Sequence, residues 1–197
     1  MSLPPWRSTI SGVLHRNRSL PASRYVQLAT VDHRGRPANR TVVFRGWRDP
    51  ESQLQFVTDA RSALRESAGT SKAAEIVANP WAEVCWYFAK TREQFRIAGK
   101  LQLIDAHSND FQAERQAVWN QMSDAGKTQF YWPLPGATRI AETFGEPELT
   151  LTPAPDFCLL LLSPVMVDRL ELRGNPQSRS RYCLLDDQEW SIELINP

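Results

Sequence analysis

The chain lacks closely spaced glycines, because the nearest two of its nine glycines, Gly136 and Gly145, are nine positions apart. A dinucleotide-binding G-x-G-x-x-G turn and a G-x-x-x-x-G-K-[ST] phosphate loop are therefore both impossible. Cysteine is also scarce: Cys85, Cys158 and Cys183 have no metal-ligand spacing, and their odd number argues against a disulfide framework. The sequence thus excludes glycine-loop nucleotide sites, and we expect no bound metal.

Long hydrophobic runs and a strong net charge are missing as well. The longest apolar run, residues 157–162, is far shorter than the roughly 20 residues of a membrane-spanning helix. The formal net charge is only +1, so the chain lacks the positive field of a typical nucleic-acid-binding protein. We therefore expect neither a membrane nor a nucleic acid as partner. The polar first residues do not resemble a signal peptide, which favours a cytoplasmic location.

What the chain does have is a globular composition, 42% hydrophobic and 23% charged, at a length that favours one domain over residues 1–197. Helical spacing predicts an amphipathic helix over residues 6–15, and further helices over 61–79 and 109–122. Roughly seven strands are predicted, among them one over 39–47 and two separate ones over 157–163 and 165–172. Hairpin-length turns join most of them. This pattern predicts a mainly β (α+β) fold, an antiparallel barrel with peripheral helices.

A first candidate site is the predicted strand at residues 40–45, R-T-V-V-F-R, which carries an arginine at each end. Alternation along a strand places Arg40 and Val42 on one face and Thr41, Val43 and Arg45 on the other. Two arginines so placed could receive the two ends of a flat anionic ligand, since the guanidinium fork suits bidentate anion binding. Arginines at the rim of a half-buried strand are the alternative explanation.

Two further clusters contain groups that suit a phosphate and a heterocycle. Residues 57–62, V-T-D-A-R-S, join a strand to a helix, and Lys72 follows. Free backbone N–H groups at a helix start, together with hydroxyls and cations, suit a phosphate, although a turn with a helix cap fits too. A predicted hairpin after Asn79-Pro80 carries Gln94 on its second strand. The amide of Gln94 could both donate to and accept from the edge of a planar heterocycle.

Together these stretches resemble the FMN-binding split-barrel superfamily of pyridoxamine 5′-phosphate oxidase, over about residues 20–140. The family strand R-x-V-L-L-K is matched by residues 40–45, with arginine replacing the terminal lysine. The turn Y-T-x-x-x-S-R-K is matched by Val57, Thr58 and Lys72. The hairpin N-P-x-A followed by R-Q-V-R-x-x-G is matched by residues 79–80 and by residues 94–99.

The resemblance implies an antiparallel FMN-binding split β-barrel, and a flavoprotein oxidoreductase that acts on a small-molecule substrate. It also implies a homodimer with the flavin at the subunit interface. Cofactor contacts are implied for residues of all three motifs and for one arginine near the C-terminus: Arg40, Thr41, Val42, Val43, Arg45, Val57, Thr58, Arg61, Ser62, Lys72, Gln94 and Arg173. The phosphate and ribityl chain would be held by five of these: Arg40, Thr58, Arg61, Ser62 and Lys72. Arg45 and Gln94 would contact the isoalloxazine edge.

The chain also departs from the family pattern at two places. An insertion between Ser62 and Lys72 removes the arginine that precedes the family lysine, which leaves Arg61 or Arg65 to complete the phosphate site. Residues 169–173, R-L-E-L-R, resemble the family sequence R-L-H-D-R and imply substrate contacts from Arg169 and Glu171. Glu171 stands where the family has a histidine. Its negative charge would repel an anionic substrate, so we expect weak or absent oxidation of pyridoxamine 5′-phosphate.

A non-catalytic module on the same barrel, which stores or senses a flavin or carries haem, is the alternative function. Haem would need an axial ligand, and the three histidines of the chain are His15, His33 and His107, all in predicted loop or terminal positions. The sequence assigns no catalytic residue and names neither the physiological substrate nor the electron acceptor.

Overall fold

The computed structural model describes residues 3–31, 34–61, 76–140 and 144–197. In this part of the chain, nine strands form one antiparallel sheet: β1 (Tyr25–Val31), β2 (Pro37–Val43), β3 (Gly46–Arg48), β4 (Gln53–Asp59), β5 (Trp81–Phe88), β6 (Glu93–Ile104), β7 (Phe157–Glu171), β8 (Ser178–Leu184) and β9 (Trp190–Ile195). The helices are α1 (Pro5–Arg16), α2 (Gln112–Gln121) and α3 (Asp124–Thr128), with 3₁₀ turns at Pro21–Arg24 and Gln129–Tyr131. The predicted mainly β architecture is confirmed. None of the described helices has the length and apolarity to cross a membrane.

The sheet curls into a barrel with an open seam. Its hydrogen-bonded strand order is β2-β1-β5-β6-β7-β4-β3, while β8 pairs with the second half of β7 and β9 pairs with β8. At the seam, β2 and β4 approach each other without forming a ladder. The two strands that carry half of the predicted cofactor residues therefore flank the seam.

The apolar run at the start of β7 is buried on both faces of the sheet. Leu160 and Leu162 point into the barrel, where they join the core cluster that includes Trp86 and α1. Leu159 and Leu161 point the other way, into a second core cluster beneath α2. A strand covered on both faces needs no polar alternation, which explains the uninterrupted hydrophobic sequence.

The two strands predicted on either side of Pro164 are one continuous strand, β7. Ala98 pairs with Met166 but Gly99 pairs with Pro164, so the ladder contains a bulge at this point. A Cβ on Gly99 would lie 2.1 Å from the carbonyl oxygen of Ser163, so only glycine fits here. Proline, which cannot donate to a ladder, is tolerated at a bulge.

Other boundaries also differ from the prediction. The strand predicted over residues 39–47 is split into β2 and β3, because buried Phe44 and the following Arg45 leave the ladder. Strand β8 was missed because its sequence, S-R-S-R-Y-C-L, is polar. The helix predicted over 61–79 lies mostly outside the described residues, although residues 76–78 are helical. Helix α3 and the second 3₁₀ turn lie beyond the last predicted helix, in a segment for which no helix was predicted.

Candidate functional site

Arg40 lies on β2, at one side of the seam, and its side chain is held by contacts with β1. It stands directly opposite Leu28, so the two side chains share the face of the sheet that lines the barrel. Its Nη1 donates to the carbonyl oxygen of Leu28 at 3.2 Å and to Oγ1 of Thr30 at 2.7 Å. On the same strand Val42 packs against the barrel core, and Thr41 is exposed on the opposite face. These two contacts hold the guanidinium against β1.

Thr58 lies on β4, at the opposite side of the seam. It follows Leu54 and Phe56 on the barrel face and is buried, whereas Val57 faces the core cluster beneath α2. The structure therefore places Arg40 and Thr58 on the barrel face of the two strands that flank the seam. Ser62, Arg65 and Lys72, the other predicted phosphate ligands, lie outside the described residues.

Arg45 lies beyond the end of β2 and borders a cavity of about 260 Å³. The cavity is lined by residues from three parts of the fold: Arg24, Val43, Phe44, Arg45, Val118, Gln121 and Met122. The backbone N–H of Arg45 donates to the carbonyl oxygen of Gln55 at 2.9 Å, which anchors the residue beside β4. Its guanidinium Nε is buried and has no hydrogen-bond partner.

The cavity beside Arg45 is electropositive. Burial lowers the pKa of Arg45, and the nearby charge of Arg24 lowers it further. None of the described residues that line the cavity is a carboxylate. A buried donor without a partner is costly, and two arginines that share a cavity repel each other, so an anion or an electron-rich acceptor would stabilise both. The arrangement is suited to binding a ligand with an anionic or carbonyl-rich edge.

Gln94 lies on the outer face of the barrel, three strands away from β2. It pairs with Tyr87 of β5. When the register between β1 and β5 is continued by two residues, Tyr25 of β1 lies beside Tyr87, and Tyr25 pairs with Val43 of β2. Three strand spacings of roughly 4.8 Å separate Gln94 from Val43, which is about 14 Å. A single chain therefore does not bring Gln94 and the end of β2 to the same point.

Arg61 is committed to contacts within the chain. Its guanidinium donates to both carboxylate oxygens of Asp59, at 3.0 and 2.6 Å, and lies 3.3 Å from a carboxylate oxygen of Asp156. It also donates to the carbonyl oxygens of Phe130 and Trp132, at 3.0 and 2.9 Å. These contacts use nearly all of its N–H groups, and they raise its pKa, chiefly through the hydrogen bonds to Asp59. Arg61 anchors the segment after α3 to the end of β4.

The two predicted substrate residues, Arg169 and Glu171, form an ion pair with each other. Nη2 of Arg169 lies 2.6 Å from Glu171 and donates at 2.6 Å to Glu93, a buried carboxylate that also binds Arg16 at 3.1 Å. This cluster lies against the C-terminal end of α1. Arg173, predicted to contact the cofactor, instead donates to the carbonyl oxygen of Lys90 at 2.6 Å and is otherwise exposed.

Arg24 was not identified from the sequence, although it shares the cavity with Arg45. It ends the 3₁₀ turn before β1 and belongs to none of the three motifs. Val118, Gln121 and Met122 of the α2 region were missed for the same reason. An arginine directly before a strand is too common a pattern to have revealed the site.

The cysteines and histidines provide no second reactive centre in the described structure. Burial raises the pKa of the Cys158 thiol to about 12 and also raises that of Cys85, so both stay protonated at neutral pH. His15 and His107 are exposed, at the end of α1 and in the turn after β6, and His33 lies outside the described residues. No group of three potential metal ligands occurs in the described ranges.

Comparisons with known proteins agree on one family. The family model for the pyridoxamine 5′-phosphate oxidase FMN-binding domain matches residues 3–105. A pyridoxine/pyridoxamine 5′-phosphate oxidase 2 from Arabidopsis thaliana is 36% identical over 200 residues, which covers 98% of this chain and 97% of the relative.

Solved structures show the same fold. A pyridoxamine 5′-phosphate oxidase-related, FMN-binding protein from Nostoc punctiforme PCC 73102 matches with a TM-score of 0.92 and 53% identity, over 100% of both chains. PhzG from Burkholderia lata 383, in complex with tetrahydrophenazine-1-carboxylic acid, matches with a TM-score of 0.74 and 16% identity, over 100% of this chain and 98% of that one. These similarities confirm the expected antiparallel split barrel.

Proposed function

The chain belongs to the pyridoxamine 5′-phosphate oxidase family of FMN-binding domains, and on this basis we propose that it is an FMN-dependent oxidoreductase of a small organic substrate. When bound, FMN supplies two-electron redox chemistry, while the protein contributes binding, orientation and electrostatics. The buried, unpartnered Nε of Arg45 beside a cavity without carboxylates is the observation that carries this proposal. An acceptor at this position would stabilise the Nε–H group, and the carbonyl-rich edge of isoalloxazine can supply one.

The phosphate end of FMN is assigned to the seam between β2 and β4. Arg40 supplies a guanidinium from β2, on one side of the seam, and Thr58 supplies a hydroxyl from β4, on the other side. In the family motif, Ser62 and Lys72 complete the site. Arg61 is a poor phosphate ligand here, because Asp59 and two backbone carbonyls already occupy its donors. The residues present fit FMN, since one cationic group, Arg40, lies in the middle of β2 and a second, Arg45, lies just beyond its C-terminal end.

The isoalloxazine edge is assigned to Arg45, with Thr41, Val42 and Val43 along the strand that leads to it. A guanidinium at this edge stabilises negative charge that accumulates on the reduced ring. The open cavity beside Arg45 leaves space for a substrate, with apolar walls from Val118 and Met122 and an amide from Gln121.

A homodimer explains how Gln94 could reach the flavin. Gln94 is about 14 Å across the sheet from Val43, by three strand spacings of roughly 4.8 Å, so the Gln94 that contacts the ring would come from a second copy. Tyr25, Tyr87 and Trp81 are large side chains on the outer face and are roughly half exposed, which is typical of a surface that another subunit covers. Arg173 would also act across that interface.

Pyridoxamine 5′-phosphate is the first test substrate, because the Arabidopsis relative carries that activity in its name. We expect slow turnover. The arginine that would grip the substrate, Arg169, is held by Glu93 and Glu171. The carboxylates of Glu93 and Glu171 beside its guanidinium disfavour an anionic substrate.

The proposal is tested by titrating cofactor-free protein with FMN, riboflavin and FAD and following the quenching of flavin fluorescence. FMN should bind most tightly, and Arg40→Ala should weaken FMN about tenfold while it leaves riboflavin unchanged, because a charge-assisted hydrogen bond contributes roughly 1.5–3 kcal/mol. Arg139→Ala, at an exposed arginine on the segment after α3, is the matched control and should change neither affinity. Equal affinity for riboflavin and FMN would contradict the phosphate site.

A further inference from the structure

A second cavity lies next to the one beside Arg45, and the two share Arg24. It has a volume of about 360 Å³ and lies between α1 and the turn that precedes β1. Its lining consists of hydroxyl, cationic and apolar side chains: Ser11, Leu14, His15, Arg18, Ser23 and Arg24. Arg24 borders both cavities, and we call the two neighbouring cavities together the α1–α2 groove.

The α1–α2 groove contains basic side chains and no described carboxylate. From its inner to its outer end these are Arg45, Arg24, Arg18 and His15. Arg24 makes no side-chain hydrogen bond or ion pair with any other described residue. Arg18 contacts only the last turn of α1, where its Nη1 donates to the carbonyl oxygen of His15 at 3.0 Å and lies 3.4 Å from the ring Nδ1 of the same residue.

The contact between Arg18 and His15 is a favourable helix-end interaction, which gives Arg18 a structural role as well. It uses one of the five N–H groups of the guanidinium and leaves the others for a ligand. Arg24 is exposed and has no comparable contact with a described residue. Eight of the fifteen described arginines outside the groove form ion pairs with described carboxylates, as Arg169 does with Glu93 and Arg179 with Asp168.

We propose that the α1–α2 groove binds a small organic molecule with two anionic groups. Arg45 and Arg24 hold one anionic group in the inner cavity, and Arg18 and His15 hold the other in the outer cavity. Phe44, Val118 and Met122 at the inner end and Leu14 at the outer end provide apolar walls for the body of the molecule. The anion site assigned to the inner cavity rests on the proposed function, since Arg45 also borders the flavin site. The anion site assigned to the outer cavity does not.

The proposal defines the substrate class more narrowly than the family does. A ligand with a single anionic group would fill only the inner cavity. Because charge-assisted hydrogen bonds contribute more than neutral ones, a second anionic group at the right distance should increase affinity markedly. Arg24 lies between the two cavities and should contribute to both ends.

The test measures binding of straight-chain α,ω-dicarboxylates from succinate to suberate to the FMN-loaded protein by isothermal titration calorimetry. Monocarboxylates of equal length are the reference. We expect one chain length to bind at least tenfold more tightly than its monocarboxylate. Arg18→Ala should remove that advantage and leave the monocarboxylate unchanged, and Arg18→Lys should restore part of it.

Arg24→Ala should weaken both ligand types, and Arg139→Ala should weaken neither. Dicarboxylates that bind no better than monocarboxylates at every length, or an advantage that survives Arg18→Ala, would overturn the proposal. Flavin absorbance recorded on the same samples separates the two proposals. Loss of FMN binding in the unmodified protein would contradict the proposed function, whereas a missing second anionic subsite with FMN bound would contradict only the groove.

Discussion

The arginines on the two sides of this barrel have opposite environments. Along β7 and β8, Arg169 and Arg179 bind the buried carboxylates Glu93 and Asp168 at 2.6 and 2.9 Å. Near the end of β2, Arg45 and Arg24 share a cavity without a described carboxylate, and the Nε of Arg45 has no partner. The first side uses arginine to complete the structure, and the second leaves arginine available to a ligand.

The comparison shows that an arginine in a family motif is not evidence of a site by itself. Residues 169–173 match the family pattern closely, yet Arg169 is neutralised within the chain by Glu93, 76 residues away, and by Glu171. Arg24 belongs to no motif, yet it borders both cavities of the α1–α2 groove. Charge balance around the guanidinium, rather than motif membership, separates the two roles.

The largest expected effect on stability is at β7 and β8, where the arginines are paired with buried carboxylates. Glu93→Gln should lower the free energy of unfolding by about 3 kcal/mol, because removal of one partner from a buried ion pair leaves an uncompensated charge. Urea denaturation followed by circular dichroism measures it. Arg16→Ala removes the exposed arginine from the same carboxylate and should cost less than about 1 kcal/mol. Equal losses in the two variants would show that burial does not govern this cluster.

Near the end of β2, where the arginines have no described carboxylate partner, removal of a charge should change the free energy of unfolding in the opposite direction. Arg45→Met should raise the free energy of unfolding of the cofactor-free protein by about 1 kcal/mol, because it removes a partly buried cation without a partner. The same variant should bind FMN more weakly. Thermal unfolding with and without FMN measures both effects. Destabilisation of the cofactor-free protein by Arg45→Met would mean that the guanidinium has a structural role, and would remove the contrast between the two sides.

The smallest expected effect on stability is that of Glu171→His. Arg169 retains its hydrogen bonds to Glu93 at 3.0 and 2.6 Å, so the free energy of unfolding should change by less than about 1 kcal/mol. Oxidation of pyridoxamine 5′-phosphate, measured as oxygen consumption by FMN-loaded protein, should be weak in the unmodified protein and a few-fold faster in the variant. Robust turnover by the unmodified protein would contradict the inhibitory role assigned to Glu171.

Local patterns predicted much of the fold. Helix α1 was predicted to within one residue at each end, because its buried residues recur at helical spacing. Strand β8 was missed because Arg179 and Arg181 look like solvated side chains until Asp168 is placed opposite them. The continuity of β7 through Pro164 depends on Gly99, which is distant in sequence and only meets it in the folded ladder.

The sequence predicted only part of the candidate site, because the remaining residues come together only in the folded chain. The motif at residues 40–45 identified Arg45, and the structure adds the cavity beside it. No local signal could have joined Arg24, which precedes β1, to Gln121 on α2, because only the tertiary structure brings them to one cavity. Arg61 and Arg169 each have a partner two residues away, Asp59 and Glu171. Their other partners, such as Phe130 for Arg61 and Glu93 for Arg169, are distant in sequence, so the full set of contacts could not be inferred from the chain alone.

A visible absorption spectrum of the purified protein, with mass spectrometry of the chromophore released on denaturation, tests the central claim most directly. The account predicts the two absorption bands of an oxidised flavin and a released molecule with the mass of FMN. Protein purified without chromophore should acquire these bands when FMN is added. A Soret band from haem, or no binding of added FMN by folded protein, would contradict the account.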